Sequence, residues 1–181
     1  MGHNTTEQTL PLSIAVLTVS DTRSIANDTS GDALVGRLQQ STHLLGARAL
    51  VIDDIYIIRA QCSQWIADET IQVILITGGT GFTGRDSTPE AMTPLFDKTV
   101  EGFGELFRQI SYRHIGTSTI QSRAVAGLAN NTLIFCLPGS TNACKTAWDE
   151  IIKYQLDSTQ GPCNFVPHLK KVERTLCGSR A

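Results

Sequence analysis

Long apolar runs in the chain predict buried β-strands. Ser13–Ser20 (SIAVLTVS) and Val73–Thr77 (VILIT) are nearly unbroken and rich in β-branched residues, which is typical of parallel strands covered on both faces. Between them in sequence, Ala47–Ile52 predicts another strand. Because these runs do not alternate with polar residues, the sheet they form is expected to lie between two layers of helices.

Apolar residues at three- and four-residue steps predict helices between these strands. One helix begins near Asp32, and Thr29 or Ser30 is expected to cap it. The next helix is expected to be capped by Asp53 or Asp54. Its apolar face consists of Ile55, Ile58, Cys62, Trp65 and Ile66.

The second half of the chain adds a hairpin and a last helix. Two apolar runs, Ala124–Leu128 and Thr132–Cys136, flank Asn130-Asn131, a pair that favours a hairpin turn. A helix follows from about Thr141 to Gln155. The alternation of strands and helices therefore predicts an α/β fold, with helices on both faces of a mostly parallel sheet that contains one antiparallel strand.

Length and composition favour a single domain and exclude several classes of function. The 181 residues suffice for one core, which we expect to span residues 11–171, with a disordered segment at 1–10 and a flexible tail at 172–181. The formal net charge of −2 argues against a nucleic-acid partner. No apolar run approaches the ~20 residues that span a bilayer, so no membrane partner is expected. Five cysteines without a C-x-x-C pair indicate free thiols and a cytoplasmic location.

A glycine-rich segment, Thr77–Gly84, directly follows a predicted strand and is expected to bind an anion. Its glycines permit a sharp turn in which several backbone N–H groups face one phosphate. The same segment matches the G-x-G-x-x-G fingerprint of dinucleotide-binding proteins, but Pro89 delays the next helix, and no acidic residue ends a strand about 20 positions later. A phosphate site is therefore favoured over a dinucleotide site and over a simple tight turn.

Acidic residues at the ends of two strands are candidates for metal binding. Asp86 follows the glycine-rich segment, and Asp53 or Asp54 follows another strand, so the fold is expected to bring two carboxylates to one edge. Two carboxylates beside a phosphate site suit Mg²⁺. The alternative role for each is a helix N-cap, which is less expected for Asp86 because Ser87 or Thr88 is available as the cap.

Five separated motifs resemble the molybdopterin-binding family of molybdenum cofactor biosynthesis, which comprises MoaB, MogA and a domain of gephyrin. The resemblance covers Ser13 to about Lys171. The motifs are Ser20-Asp21-Thr22; Thr77-Gly78-Gly79-Thr80-Gly81 with Arg85-Asp86-x-Thr88-Pro89-Glu90; Gly102-Phe103-Gly104-Glu105; Ser122-Arg123; and Leu137-Pro138-Gly139-Ser140.

The resemblance implies a three-layer α/β/α sandwich, assembled as a homo-oligomeric trimer or hexamer, that binds molybdopterin. In the active branch of the family, molybdopterin is adenylylated with MgATP and pyrophosphate is released. Asp86 and Asp53 match the two catalytic acids, to which we assign the Mg²⁺. The alternative is an oligomer that binds molybdopterin without chemistry. The substrate-binding residues expected at the rim are Ser20, Asp21, Thr77, Gly78, Gly79, Thr80, Gly81, Ser122, Arg123, Pro138, Gly139 and Ser140.

A helical stretch after the glycine-rich segment has an apolar face whose role is open between core and subunit contact. The face consists of Phe103, Leu106, Phe107 and Ile110. Because the resemblance implies an oligomer, we favour a contact within a trimer.

Overall fold

A computed structural model describes residues 8–171, and the predictions for 1–7 and 172–181 lie outside the described residues. Within this part of the chain, six strands form one sheet in the order β2-β1-β3-β6-β5-β4. Their bounds are β1 Ser13–Val19, β2 Leu44–Val51, β3 Val73–Thr77, β4 Lys98–Thr99, β5 Val125–Ala129 and β6 Thr132–Leu137.

The sheet is mostly parallel, as the sequence predicts. β1 is parallel to β2 and β3, and β3 is parallel to β6, whereas β5 is antiparallel to both β6 and β4. Asn130 and Asn131 have φ values of 45° and 56°, which fits the tight hairpin turn between β5 and β6. The prediction of one antiparallel strand in a mostly parallel sheet is confirmed.

Helices cover both faces of the sheet. They are α1 Thr29–Gln39, α2 Ile55–Ala67, α3 Thr88–Met92, α4 Glu101–Ile115, α5 Thr141–Ala147 and α6 Lys153–Gln155. A π-helical turn, Trp148–Ile152, joins α5 to α6, so the helix predicted over 141–155 is present but changes its hydrogen-bond pattern. Short 3₁₀ segments lie at Ile25–Asn27, Thr93–Leu95, Gly116–Gln121 and Val166–His168. No helix within residues 8–171 is long and apolar enough to cross a membrane.

The cap predicted for α1 is wrong. The helix begins at Thr29, and the side chain of Asp28 accepts a hydrogen bond from the backbone N–H of Gly31 at 2.9 Å. Asp28 is fully buried and also accepts bonds from Thr18 Oγ1 (2.7 Å) and Arg48 Nη2 (2.9 Å). Local sequence did not identify this cap, because β1 and β2 provide the partners that make a buried aspartate tolerable.

Two apolar clusters, one on each face of the sheet, form the core. Alternate residues of β1 divide between them: Ile14 and Val16 face the cluster beneath α1, α4 and α5, whereas Ala15 and Leu17 face the cluster beneath α2 and α3. This division is the physical basis of the three-layer α/β/α sandwich.

The prediction that one face of α4 contacts a second subunit is wrong for two of its four residues. Phe103 and Phe107 are buried in the core, where the Phe103 and Phe135 rings meet edge-on with centroids 4.9 Å apart. Ile110 is partly buried against the same cluster, and Leu106 is exposed. The sheet lies beneath this face and packs against it. Sequence periodicity predicts an apolar face but does not identify what covers it.

Segments near both described ends are bonded to the domain. Thr9 Oγ1 donates to Asp157 at 2.8 Å, and the N–H of Leu10 donates to Ser158 Oγ at 2.9 Å. Lys170 Nζ donates to the carbonyls of Ile66 and Asp68 at the end of α2, at 2.6 and 2.7 Å.

Candidate functional site

A cavity of about 950 Å³ lies beyond the carboxyl ends of the central strands. Its lining comes from the loops after β1, β3 and β6, from α5, and from the end of α4 with the following 3₁₀ segment. Loops at this edge of a parallel sheet are a common place for ligand sites. Twelve of the residues predicted from the sequence line it: Ser20, Asp21, Asp53, Gly78, Gly79, Thr80, Gly81, Asp86, Ser122, Pro138, Gly139 and Ser140.

The glycine-rich loop approaches the ends of β1 and β2 so closely that side chains are excluded. Gly78 and Gly79 have φ values of 105° and 64°. A Cβ atom on Gly78 would lie 2.1 Å from the carbonyl oxygen of Val19, and one on Gly79 would lie 2.6 Å from Asp53 Oδ2. These two glycines therefore let the loop turn and leave room for the Asp53 carboxylate.

Thr77 lies at the end of β3 but does not line the cavity. It is fully buried, and its Oγ1 contacts the carbonyl of Pro138 at 3.2 Å and Cys144 Sγ at 3.1 Å. Burial raises the pKa of the Cys144 thiol to about 11, so this thiol is protonated at neutral pH. Thr77, at the end of β3, thus contacts the loop that follows β6.

Asp53 is a buried carboxylate in the cavity wall. The residue is only 8% exposed to solvent. Its Oδ1 accepts hydrogen bonds from the N–H of Ser87 (3.1 Å) and from Ser87 Oγ (2.6 Å). Burial raises the pKa of Asp53; the Ser87 bonds oppose this shift, and the negative charges of Asp86 and Asp21 add to it. Of the carboxylates that line the cavity, Asp53 is therefore the one whose ionised form a bound cation would stabilise most.

The neighbouring Asp54 has a structural role. Its Oδ1 accepts bonds from the N–H groups of Tyr56 and Ile57 at 2.9 and 3.0 Å, so that it caps α2. The sequence left open which of the two aspartates belongs to the site, and the geometry brings Asp53 to the cavity and Asp54 to the helix.

Asp86 is held in its ionised form by the glycine-rich loop. Its Oδ2 accepts bonds from Thr83 Oγ1 (2.6 Å) and from the N–H of Thr83 (2.9 Å). The Thr83 hydroxyl bond is the main cause that lowers the pKa of Asp86; the charge of Arg123 also contributes. Asp53 and Asp86 thus have pKa values shifted in opposite directions, which is common at functional sites.

Ser87 is the N-cap residue of α3, as the sequence predicts, but its side chain makes no cap hydrogen bond. Its hydroxyl donates to Asp53, and the Thr88 hydroxyl donates to the carbonyl of Gly78 at 2.8 Å. Both hydroxyl groups instead fix the cavity wall to the glycine-rich loop.

Cationic side chains that sequence reasoning missed also line the cavity: Arg23, Arg85 and Lys145. Arg23 donates to Ser30 Oγ (2.5 Å) and to the carbonyl of Gly139 (3.2 Å). Arg85 donates to both carboxylate oxygens of Asp21, at 2.8 and 2.9 Å. The positions of Arg23 and Arg85, directly beside the Ser20-Asp21-Thr22 motif and Asp86, were a usable signal in the sequence.

Ser122 and Arg123 are adjacent in the chain but differ in whether they line the cavity. The buried Ser122 Oγ has no hydrogen-bond partner within residues 8–171, although Ser122 lines the cavity. Arg123 is not among the lining residues, and its guanidinium donates to the carbonyls of Thr80 and Asp86. Ser122 therefore has an unused hydroxyl for a ligand, whereas Arg123 is engaged by protein groups.

The oxygen donors present fit Mg²⁺ better than a transition metal. Among residues 8–171, no three His, Cys, Asp or Glu side chains group as a closed metal site. Mg²⁺ keeps several waters and takes one or two protein carboxylates with phosphate oxygens, and Asp53 and Asp86 provide such a pair. Both Ser87 bonds fall on Oδ1 of Asp53, so its Oδ2 is the oxygen suited to a further ligand.

Comparisons with known proteins converge on one family. A family model described as a probable molybdopterin binding domain matches residues 15–158. The chain is 58% identical over 162 residues to molybdenum cofactor biosynthesis protein B of Escherichia coli (strain K12), covering 90% of this chain and 95% of that protein.

Solved structures give the same result. A crystal structure of molybdenum cofactor biosynthesis protein B is 38% identical, with a TM-score of 0.79 and coverage of 82% of this chain and 92% of that chain. The tungsten cofactor synthesizing protein MoaB from Pyrococcus furiosus is 35% identical, with a TM-score of 0.72 and coverage of 81% and 92%. Both relatives are covered over 92% of their length.

Proposed function

The chain belongs to the probable molybdopterin-binding domain family of molybdenum cofactor biosynthesis, and from this premise we propose that its cavity binds molybdopterin and adenylylates it with ATP. The reaction joins an oxygen of the terminal phosphate of molybdopterin to the α-phosphorus of ATP. The bond between the α-phosphorus and the bridging oxygen to the β-phosphate breaks, and pyrophosphate leaves.

The main obstacle to this reaction is electrostatic. A phosphate monoester with a second pKa near 6 is mostly dianionic at neutral pH, so it needs no strong base to act as the nucleophile. It must, however, approach the negative triphosphate of ATP. Positive charge and correct alignment at the cavity are therefore the main requirements for catalysis.

The residues of the cavity divide into two sets for this task. The backbone N–H groups of Gly79 and Thr80 and the hydroxyl groups of Ser122 and Ser140 are suited to bind phosphate oxygens, whereas the N–H of Gly78 donates to the carbonyl of Leu137 at 3.0 Å. Arg23, Arg85 and Lys145 lower the repulsion between the two substrates.

Asp53 and Asp86 are proposed to hold the metal that accompanies ATP. When bound, Mg²⁺ supplies positive charge next to the reacting phosphates. The single observation that carries the proposal is the convergence of these two acids, with oppositely shifted pKa values, and three cationic side chains in the cavity that the glycine-rich loop lines.

The decisive experiment is to mix the purified protein with molybdopterin, ATP and Mg²⁺, and to assay adenylylated molybdopterin and pyrophosphate. Formation of both products above the control without protein is the expected result. Binding of molybdopterin without either product would overturn the proposed reaction and leave the alternative, a non-catalytic molybdopterin-binding oligomer.

We also propose that the protein acts in the cytoplasm as a homo-oligomer, either a trimer or a hexamer. Free thiols support the location, since Cys62, Cys136, Cys144 and Cys163 are all unpaired. A ring of copies would cover apolar side chains that one protomer leaves exposed, such as Leu106 and Ile120.

A further inference from the structure

Arg123 lies just before β5 and contacts the glycine-rich loop at several points. Its Nε donates to the carbonyl of Thr80 at 3.1 Å, and its Nη2 donates to the carbonyl of Asp86 at 3.2 Å. Its Nη1 forms an ion pair with the carboxylate of Glu90 on α3, and the guanidinium lies 5.2 Å from the centroid of the Phe82 ring. One side chain therefore contacts the loop at its start, its tip and its end.

Few other bonds hold this loop. Within the described part of the chain, two side chains outside residues 80–86 form hydrogen bonds with this segment: Arg123 and Asp21. The bond to Asp21 depends on Arg85, whose side chain is 66% exposed, and exposed ion pairs stabilise little. The side chain of Arg123 is only 22% exposed, so its bonds are less screened by water.

We propose that Arg123 is a positioning residue, which holds residues 80–86 against α3 and thereby fixes the Asp86 carboxylate at the cavity. This inference rests on the proposed function for the role of Asp86, but the contacts that define it belong to the protein without any ligand. It differs from the sequence-based expectation that Arg123 binds substrate phosphate.

The geometry of the guanidinium explains why arginine serves here. Three separate acceptors, the carbonyls of Thr80 and Asp86 and the carboxylate of Glu90, lie around one planar group. A planar fork of five N–H donors satisfies acceptors in different directions at once, whereas a lysine ammonium on a flexible stem does not hold all three. A phosphate ligand would have to displace these partners.

Hydrogen–deuterium exchange of the ligand-free protein tests the proposal directly. Arg123→Gln is expected to accelerate exchange of the amides of residues 81–86 by about tenfold or more, with the amides of β3 and β6 unchanged. If Arg123 instead binds substrate phosphate, the ligand-free loop keeps its wild-type exchange, and that outcome overturns the proposal.

Arg59 provides a matched control. It also donates to backbone carbonyls of α3, at Ala91 (3.0 Å) and Glu90 (2.9 Å), but it comes from α2 and makes no bond to residues 80–86. Arg59→Gln is therefore expected to change loop exchange by less than about twofold. Equal acceleration in both variants would mean that the effect comes from loosening α3, and would overturn the role assigned to Arg123.

A second measurement follows the Asp86 carboxylate through binding of Mn²⁺, which reports on a Mg²⁺ site by electron paramagnetic resonance. Arg123→Gln is expected to weaken Mn²⁺ binding about tenfold, and Arg123→Lys is expected not to restore it. Wild-type Mn²⁺ affinity in Arg123→Gln overturns the positioning of Asp86. Failure of the wild-type protein to bind Mn²⁺ counts against the metal site in the proposed function, and loop exchange then decides the role of Arg123.

Kinetics separate the two roles if turnover is observed. Loss of a positioning residue lowers kcat with little change in KM for ATP and molybdopterin, whereas loss of a phosphate ligand raises KM. Should Arg123→Gln fail to fold, Glu90→Gln provides the exchange test, because it removes only the ion pair. It is expected to accelerate loop exchange about threefold, and wild-type exchange would overturn the proposal.

Discussion

Asp53 and Asp54 are adjacent in the chain, yet their carboxylates have different surroundings. Asp53 turns into the cavity wall and meets Ser87, whereas Asp54 turns toward the first turn of α2 and caps it. Because burial raises the pKa of Asp53, its negative charge is costly in the absence of a cation. A costly charge retained at a cavity is the expected sign of a residue kept for binding or catalysis.

Replacement of Asp86 tests its role in the proposed reaction. Asp86→Asn is expected to abolish formation of adenylylated molybdopterin with little loss of molybdopterin affinity, because it removes a metal ligand and leaves the backbone N–H groups of the loop in place. Turnover and equilibrium binding are measured in parallel. The control is Asp54→Asn, which lies outside the cavity and is expected to retain turnover; turnover retained in Asp86→Asn would refute the metal assignment.

The raised pKa of Asp53 predicts a gain of stability when its charge is removed. Above the folded-state pKa the ionised carboxylate costs stability, and below the unfolded-state value, about 3.9, both states are protonated and the cost disappears. Asp53→Asn retains an oxygen acceptor for Ser87, so it is expected to raise the unfolding temperature at pH 7 by on the order of 2 °C. The gain is expected to vanish as the pH falls below about 4.

Thermal unfolding followed by circular dichroism across pH 3–8 measures this dependence on the metal-free protein. The same variant is expected to lose turnover. An unchanged or lower unfolding temperature at neutral pH would contradict the claim that the Asp53 charge is held at a cost.

The bounds of the strands and helices follow the apolar pattern closely, except where contacts with residues distant in sequence determine where an element begins or ends. β3 has the predicted bounds because its five residues are all buried. By contrast, α1 starts at Thr29 because Asp28 bonds to β1 and β2, and the two-residue β4 has too few positions to show a pattern. Short edge elements depend on pairing, here of Lys98 with Leu128, rather than on their own composition.

The turn between β5 and β6 offers a test of an element that the sequence did predict. Asn131 has a φ of 56°, a conformation that glycine and asparagine adopt more readily than other residues. Asn131→Gly is expected to be tolerated within about 0.5 kcal/mol, whereas Asn131→Ala is expected to lower the free energy of unfolding by about 1 kcal/mol. Urea unfolding measures both, and equal stabilities would contradict the turn assignment.

Across the whole molecule, the cavity is where cationic and acidic side chains from different loops and helices meet. The net charge is −2, but Arg23, Arg85 and Lys145 all line the one cavity described here. The sequence-based view, in which backbone N–H groups, a metal and Arg123 provide the positive charge, missed these side chains. Asp21, Asp53 and Asp86 line the cavity as well, so the side-chain charges of the lining balance, and net positive charge toward phosphates falls to backbone N–H groups and the proposed Mg²⁺.

The proposed assembly is tested at the same level. Exposed apolar side chains on and after α4, including Tyr112, Ile115 and Ile120, would be covered in a ring of copies. Sedimentation equilibrium is expected to give three or six times the chain mass of 19.6 kDa. A particle with the mass of a single chain would contradict the proposed oligomer.

The sequence by itself determined the strands β1, β3 and β6, the mostly parallel sheet, the hairpin and twelve of the residues that line the cavity. It did so because continuous apolar runs and glycine-rich turns are local signals, and because parallel strands bring their carboxyl ends to one edge.

Only the tertiary structure decided which acid faces the cavity, which cations join it and what Arg123 contacts. These features depend on the direction of side chains and on partners far apart in the chain: the acceptors of Arg123 are 33 to 43 positions away. No local pattern encodes such contacts, because they exist only once the sheet has brought its loops together.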